Sequence, residues 1–235
     1  MILTNYSSGV EKMTDVLDGV KVLDLSRILA GPYCAQMLAD LGAEVIKVEA
    51  PWGDDTRGWG PPFLDDGTAA YHLSCNRGKD IIFHNLKEDK EEIHKLISES
   101  DVVIENFRPG QLEKLIGPIC SDVILCSITG FGQSGPRSQE PGYDLALQAM
   151  SGIMSITGEE NGGPVKVGVA WIDIITGLYA GNAILGALLK KERTGKSSHL
   201  DISLWDCAIA SLANQGQNQI VSGENPGLLG SGHPN

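Results

Sequence analysis

The chain has 235 residues, of which 42% are hydrophobic and 20% charged, with a formal net charge of −12 and an isoelectric point near 4.8. That length suffices for one large domain or two small ones. The acidic balance argues against a nucleic-acid role, which needs a basic face, but leaves room for a local basic pocket around a phosphorylated ligand.

Residues 1–18, with a single lysine and no arginine, read as a loose tail without the features of a presequence or signal peptide. A short strand is predicted over 21–25, a loop over 26–31, and a helix over 33–41 with Pro32 at its start and Gly42 at its end. The next strand spans 44–49, and its Lys47 and Glu49 are expected to face solvent. A loop rich in Gly, Pro, Trp and Asp covers 51–66; loops of that length in a compact domain are more often functional than idle. Strands at 80–85, 101–105 and 122–128 alternate with helices at 87–99 and 111–116. Beyond 140 the pattern turns helical, at 143–154, 173–191 and 204–221, with one more strand at 199–203. Alternating strands and helices predict an α/β fold, a Rossmann-like doubly wound parallel sheet with flanking helices, whose ligands bind beyond the carboxyl ends of the strands. No stretch is expected to be long and apolar enough to span a membrane.

The five cysteines, at 34, 75, 120, 126 and 207, show no C-x-x-C spacing, and the five histidines show no ligand spacing. Neither a disulfide framework nor a metal site is expected, and a reducing compartment follows. Gly130-Phe-Gly132-Gln-Ser-Gly135 matches G-x-G-x-x-G after a strand, but Pro136 and Pro141 forbid the helix that a dinucleotide fingerprint must open. An NAD-linked oxidoreductase is therefore disfavoured, and these glycines are expected to serve a tight turn or a close backbone approach. Asn106, Phe107 and Arg108 end a strand at the ligand edge. Phe107 suits stacking on an adenine ring, Asn106 hydrogen bonding to it and Arg108 a phosphate; a packed turn with a solvated arginine is the alternative. Arg57, between Trp52 and Trp59, reads either as a clamp for an anionic substrate or as tied up by its acidic neighbours. Asp173 stands in an apolar, glycine-punctuated run at the mouth of a long helix. It reads as an N-cap or as a poised nucleophile, since a helix N-terminus offsets the cost of desolvating a carboxylate. Asp144, Asp201 and Asp206 are its rivals and are most simply structural.

Several blocks, in order, resemble family III CoA-transferases: Leu17-Asp-Gly-Val-Lys-Val-Leu-Asp-Leu-Ser, Ala30-Gly-Pro32, Leu38 through Glu49, Gly53-Asp-Asp-Thr-Arg57, Val103 through Gly110, Ser127 through Pro136, and Gly142-Tyr-Asp144. The runs from Thr157 to Pro164 and from Gly168 to Tyr179 are most similar to the succinyl-CoA:glutarate branch. The resemblance implies that Asp173 is the nucleophile, which displaces the N-cap reading. It implies an acyl-CoA and a carboxylic acid as small-molecule substrates, with coenzyme A as substrate rather than a permanently bound cofactor. It assigns CoA contacts to Leu29, Ala30, Asn106, Phe107 and Arg108, and more loosely to residues 84–87, including Lys87, and to Lys114. Arg57 and Tyr143 are carried over to the acyl or acceptor side.

By the same resemblance residues 19–221 form the large CoA-binding domain and 222–235 begin a linker to a small domain outside this chain, which covers the N-terminal half of such a protein. The full-length protein is implied to be an interlocked homodimer, without nucleic-acid or membrane partners, in the cytoplasm or mitochondrial matrix. Ala50, where many members carry arginine, the run Asn76-Arg-Gly-Lys-Asp80, a shortened 117–121 and the lack of the family's later glycine-rich loop depart from the pattern. The rival readings are a 2-methylacyl-CoA racemase using acid–base pairs, which Tyr143 in place of histidine disfavours, and an inactive CoA-binding fragment.

Overall fold

The computed structural model describes residues 16–234. Its centre is a sheet of six strands: β1 (Lys21–Asp24), β2 (Glu44–Glu49), β3 (Lys79–Phe83), β4 (Val102–Glu105), β5 (Ile124–Thr129) and β6 (His199–Ser203). All neighbours are parallel, in the order β3-β2-β1-β4-β5-β6. This is the doubly wound order, and it reverses direction between β1 and β4, where the loops on the two strands' carboxyl ends part to leave a crevice.

Two cores flank the sheet. On one face Val22, Val102, Ile104, Ile124, Cys126 and Ile128 meet helices α1 (Ala30–Asp40), α5 (Asp144–Met150), α6 (Trp171–Thr194) and α7 (Leu204–Ser211). On the other, Leu23, Val48 and Val103 meet α3 (Lys90–Ser98) and α4 (Gln111–Ile116). Strand residues alternate between the two cores, as a pleated sheet buried on both faces requires.

α1 and α6 lie against each other with very little between them. A Cβ at Gly177 would sit 2.9 Å from the Ala30 carbonyl oxygen and 3.3 Å from the Cys34 nitrogen. Only a glycine admits that approach of backbone to backbone.

Several boundaries depart from the expected ones. α1 begins at Ala30, so Pro32 lies inside the first turn, where its missing N–H has no partner to lose. The helix expected over 204–221 is two, α7 and α8 (Ala213–Ser222), broken where Ala213 takes φ +46°. A short α2 (Ala70–Leu73) and a 3₁₀ turn at Asp55–Gly58 occupy the region after β2. The expectation that no segment reaches membrane-spanning length and hydropathy fails at α6, whose 24 residues meet that measure. In this fold the helix packs against α1, α5, α7, β5 and β6, while Leu178, Tyr179 and Leu189 on it stay exposed.

Of the tail expected over 1–18, residues 1–15 lie outside the described residues; Leu17 is buried, and its N–H donates to the Leu41 carbonyl. At the other end Gly223, at φ +75°, closes α8, and the Gly230 N–H donates to the Gly158 carbonyl at 2.9 Å.

Candidate active site

The crevice at the switch point holds a cleft of about 670 Å³ that brings together Leu29, Ala30, Asn106, Phe107, Arg108, Tyr143, Asp144 and Asp173. A second cavity of about 280 Å³ adjoins it, walled by Val48, Ala50, Pro51, Trp52, Leu86 and Lys87. Arg27, Phe107 and Leu115 line both. Seven of the ten expected site residues thus gather in the larger cleft, and Lys87 stands in the smaller. Arg57 and Lys114 line neither.

Asp173 is the third residue of α6, whose N-cap position is Ala170. Its side chain has no hydrogen-bond partner among the described residues, so the N-cap reading fails. The capping bond comes from a different helix: Asp144, first residue of α5, accepts from the Ile172 N–H with Oδ1 at 2.7 Å and from Gln148 Nε2 with Oδ2, also at 2.7 Å. Asp173 is left partly buried beside a second carboxylate. Burial first, and the Asp144 charge second, push its pKa up to about 7. Tyr71 on α2 feels the same charge: burial and then Asp173 raise its phenol to about 12.

The floor of the cleft depends on a contact between two glycines. A Cβ at Gly142 would fall 2.3 Å from Gly130 Cα, and one at Gly130 would fall 2.5 Å from the Gly142 nitrogen. Gly130 therefore serves close backbone approach rather than a dinucleotide turn. The residue after Gly142, Tyr143, N-caps α5 and projects into solvent at 64% exposure.

The β1–α1 loop is fixed at several points. Asn106 closes on Arg27 with two bonds, its Oδ1 accepting from the Arg27 N–H at 2.9 Å and its Nδ2 donating to the Arg27 carbonyl at 2.8 Å. Asn106 thus holds the loop while keeping a second amide N–H and a second lone pair at the cleft. Ile28 takes φ +71°, and its N–H donates to Asp54 Oδ2 at 3.2 Å. A β-branched residue in that region is held there by its surroundings.

Beneath the loop is a buried ionic network. The Lys79 ammonium contacts Asp24 at 2.8 Å, and Lys47 donates to the Ser26 carbonyl at 2.8 Å and lies 3.5 Å from Asp54. Burial alone would raise the Asp24 pKa; the charges of Lys47 and Lys79 outweigh it and lower it. Lys47 and Glu49 are both buried rather than facing solvent. Glu49 receives Arg57 Nε at 2.6 Å and Nη2 at 3.1 Å, and pairs with His72 Nε2 at 2.8 Å. Burial opposes ionisation of Glu49, but bonds from His72 and Arg57 hold its pKa down at about 2. Of the two readings of Arg57 the structure takes the tied one, with the partner Glu49, eight residues back, rather than its adjacent aspartates. Lys114 on α4 is exposed.

Cations nonetheless frame the cavities of this acidic chain: Arg27 at their junction, Arg108 on the β4 loop and Lys87 on the outer rim. Among the described residues the Arg108 and Lys87 side chains have no acidic partner. The arrangement gathers Asp144 and Asp173 with Arg27 and Arg108 in one cleft, beside a smaller recess that holds Lys87. Arg27 and Tyr71 were not singled out from the sequence, and Asp144 was read there as structural. Arg27 is a lone arginine in a loop, and the Ile172 N–H that Asp144 accepts from lies 28 residues away.

The sequence profile of CoA-transferase family III matches residues 17–235. The succinate–glutarate CoA-transferase of Agrobacterium fabrum is 49% identical, aligning with 93% of this chain and 58% of its own length. The human succinyl-CoA:glutarate CoA-transferase is 47% identical over 92% of this chain and 51% of its own. The chain thus spans little more than half the length of these relatives. Among solved structures, a CAIB/BAIF family protein from Brucella suis superimposes with a TM-score of 0.89 at 50% identity, covering 93% of this chain and 61% of that one. Rv3272 from Mycobacterium tuberculosis gives a TM-score of 0.76 at 35% identity, covering 87% and 57%.

Proposed function

The chain belongs to CoA-transferase family III, and from that premise we propose that it carries the nucleophile and the CoA-binding edge of an acyl-CoA:carboxylate CoA-transferase, with succinyl-CoA as donor and a dicarboxylate such as glutarate as acceptor. The observation that carries the reading is Asp173. It is a carboxylate with a pKa near 7, in one cleft with the loops at Leu29–Ala30 and Asn106–Arg108.

In this reaction an Asp173 oxygen attacks the thioester carbonyl carbon. The C–S bond breaks, its electron pair leaves on the CoA sulfur, and an acyl–aspartyl anhydride remains. The thiolate then attacks the Asp173 carbonyl carbon and releases succinate, giving an aspartyl-CoA thioester. The acceptor carboxylate repeats the sequence in reverse: it displaces CoA thiolate to form a new anhydride. The thiolate attacks the acceptor's carbonyl, releasing glutaryl-CoA and regenerating the carboxylate. A partly buried carboxylate suits this chemistry, since loss of water strengthens the nucleophile and protects the anhydride from hydrolysis. Each step keeps the thioester energy in a covalent bond. Arg57 and Lys114 have no part in this reading, because they stand outside both cavities.

The test is incubation with succinyl-CoA, trapping with hydroxylamine, and intact and peptide mass. A hydroxamate at Asp173, lost in Asp173→Ala, is the expected result. CoA binding with no trapped adduct would replace the transferase by a CoA-binding protein.

A further inference from the structure

Arg27, which lines both cavities, forms an ion pair with Asp55, which lines the larger. The pair joins the β1–α1 loop to the 3₁₀ turn at Asp55–Gly58. Its roots are rigid and its tips are not. The Arg27 main chain is clamped on both sides by Asn106, and Asp54, adjacent to Asp55, is buried with its carboxylate on the N–H groups of Ile28 and Thr56. The two side chains, by contrast, are 53% and 42% exposed, and each has the other as its sole side-chain partner among the described residues. An exposed pair of this kind contributes little to stability and exchanges readily.

The chemistry of the ligand matches that position. Coenzyme A is a nucleotide and a pantetheine arm joined by a diphosphate. The larger cleft holds Asp173 and the smaller recess holds Trp52 and Leu86, so a CoA molecule that occupied both would carry its diphosphate past Arg27, which lines each. A guanidinium binds phosphate oxygens in paired, charge-assisted hydrogen bonds stronger than one exposed carboxylate contact.

Resting on the CoA-transferase reading above, we propose that Arg27 is a diphosphate-binding residue and that Asp55 is its latch, occupying the guanidinium in the free protein and releasing it when CoA binds. Asp55 thereby weakens CoA binding by the free energy of breaking the pair, and restrains Arg27 from capturing other anions.

Calorimetric titration with CoA, dephospho-CoA and pantetheine separates the possibilities, using wild type, Asp55→Asn, Arg27→Gln and the double variant. Asp55→Asn is expected to tighten CoA and dephospho-CoA about three- to fivefold, the size of an exposed ion pair. It should steepen the salt dependence of both and leave pantetheine, which has no phosphate, unchanged. Arg27→Gln is expected to weaken both nucleotides about tenfold, and in its background Asp55→Asn should have no effect. Thermal midpoints check that all variants fold. An unchanged or weaker CoA affinity in Asp55→Asn, or the same gain without Arg27, would overturn the latch while leaving the transferase reading intact. A wild type that binds no CoA would overturn both.

Discussion

The side chain of Asn106, at the end of β4, holds the main chain of Arg27, at the end of β1, by both its N–H and its carbonyl. The two strands are adjacent in the sheet, so this pair bridges the crevice at its base. Asn106→Ala removes both bonds and leaves two main-chain groups to find water. A loss of roughly 1–3 kcal/mol in unfolding free energy is expected, together with weaker CoA binding. Denaturant unfolding and CoA titration read the two effects. A variant that loses CoA affinity at unchanged stability would instead make Asn106 a base-reading residue.

The raised pKa of Asp173 has a sign in stability. The unfolded carboxylate titrates near 4 (about 3.9), the folded one near 7. Between those values the native state binds the extra proton, so unfolding becomes easier as pH rises through that window and levels off above it. Asp173→Asn has no such proton to lose. Its thermal midpoint should overtake that of the wild type as pH climbs from 4 to 8; curves that run parallel would contradict the shift.

Asp144 contributes to that shift by charge and to helix α6 by its bond to Ile172. Asp144→Asn keeps the acceptor and removes the charge. The rate of covalent labelling of Asp173, rising with its ionised fraction, should then reach half-maximum at lower pH than in the wild type. The displacement is partial because burial is the larger cause. Asp144→Ala should add a loss of stability that Asp144→Asn lacks, since it leaves the Ile172 N–H unpaired.

Gly142→Ala forces a methyl group against the Gly130 backbone at 2.3 Å. No side chain can rotate away to make room. Overpacking of this kind costs about 1–3 kcal/mol or more, and it displaces Tyr143 and Asp144 on the following residues. Both the thermal midpoint and Asp173 labelling should fall; an alanine variant of wild-type stability would mean the two loops separate without cost.

The sheet was legible because each strand is a short apolar run between turn residues, and all six appear within about two residues of their expected starts. Asp173 and the Asn106–Arg108 loop were legible through residue order and placement at strand ends. What was not legible depends on partners distant in the chain. Lys47 reads as a solvent-facing strand residue until Asp24, Asp54 and the Ser26 carbonyl surround it. Arg57 reads as available until Glu49 takes it. Asn106 has the residue type for base recognition, and only the position of Arg27, 79 residues away, shows where its hydrogen bonds go.

The contact at Gly177 is also a gauge. Gly177 lies one turn beyond Asp173 on α6, and it rests on the Ala30 carbonyl, the first residue of α1 and part of the cleft wall. In the reaction proposed above, the spacing between the Asp173 carboxylate and the Leu29–Ala30 loop is therefore set by the absence of a single methyl group. Reacting atoms misplaced by about 1 Å can lose two orders of magnitude in rate. In this molecule that tolerance is machined by backbone against backbone, at a position that lines neither cavity.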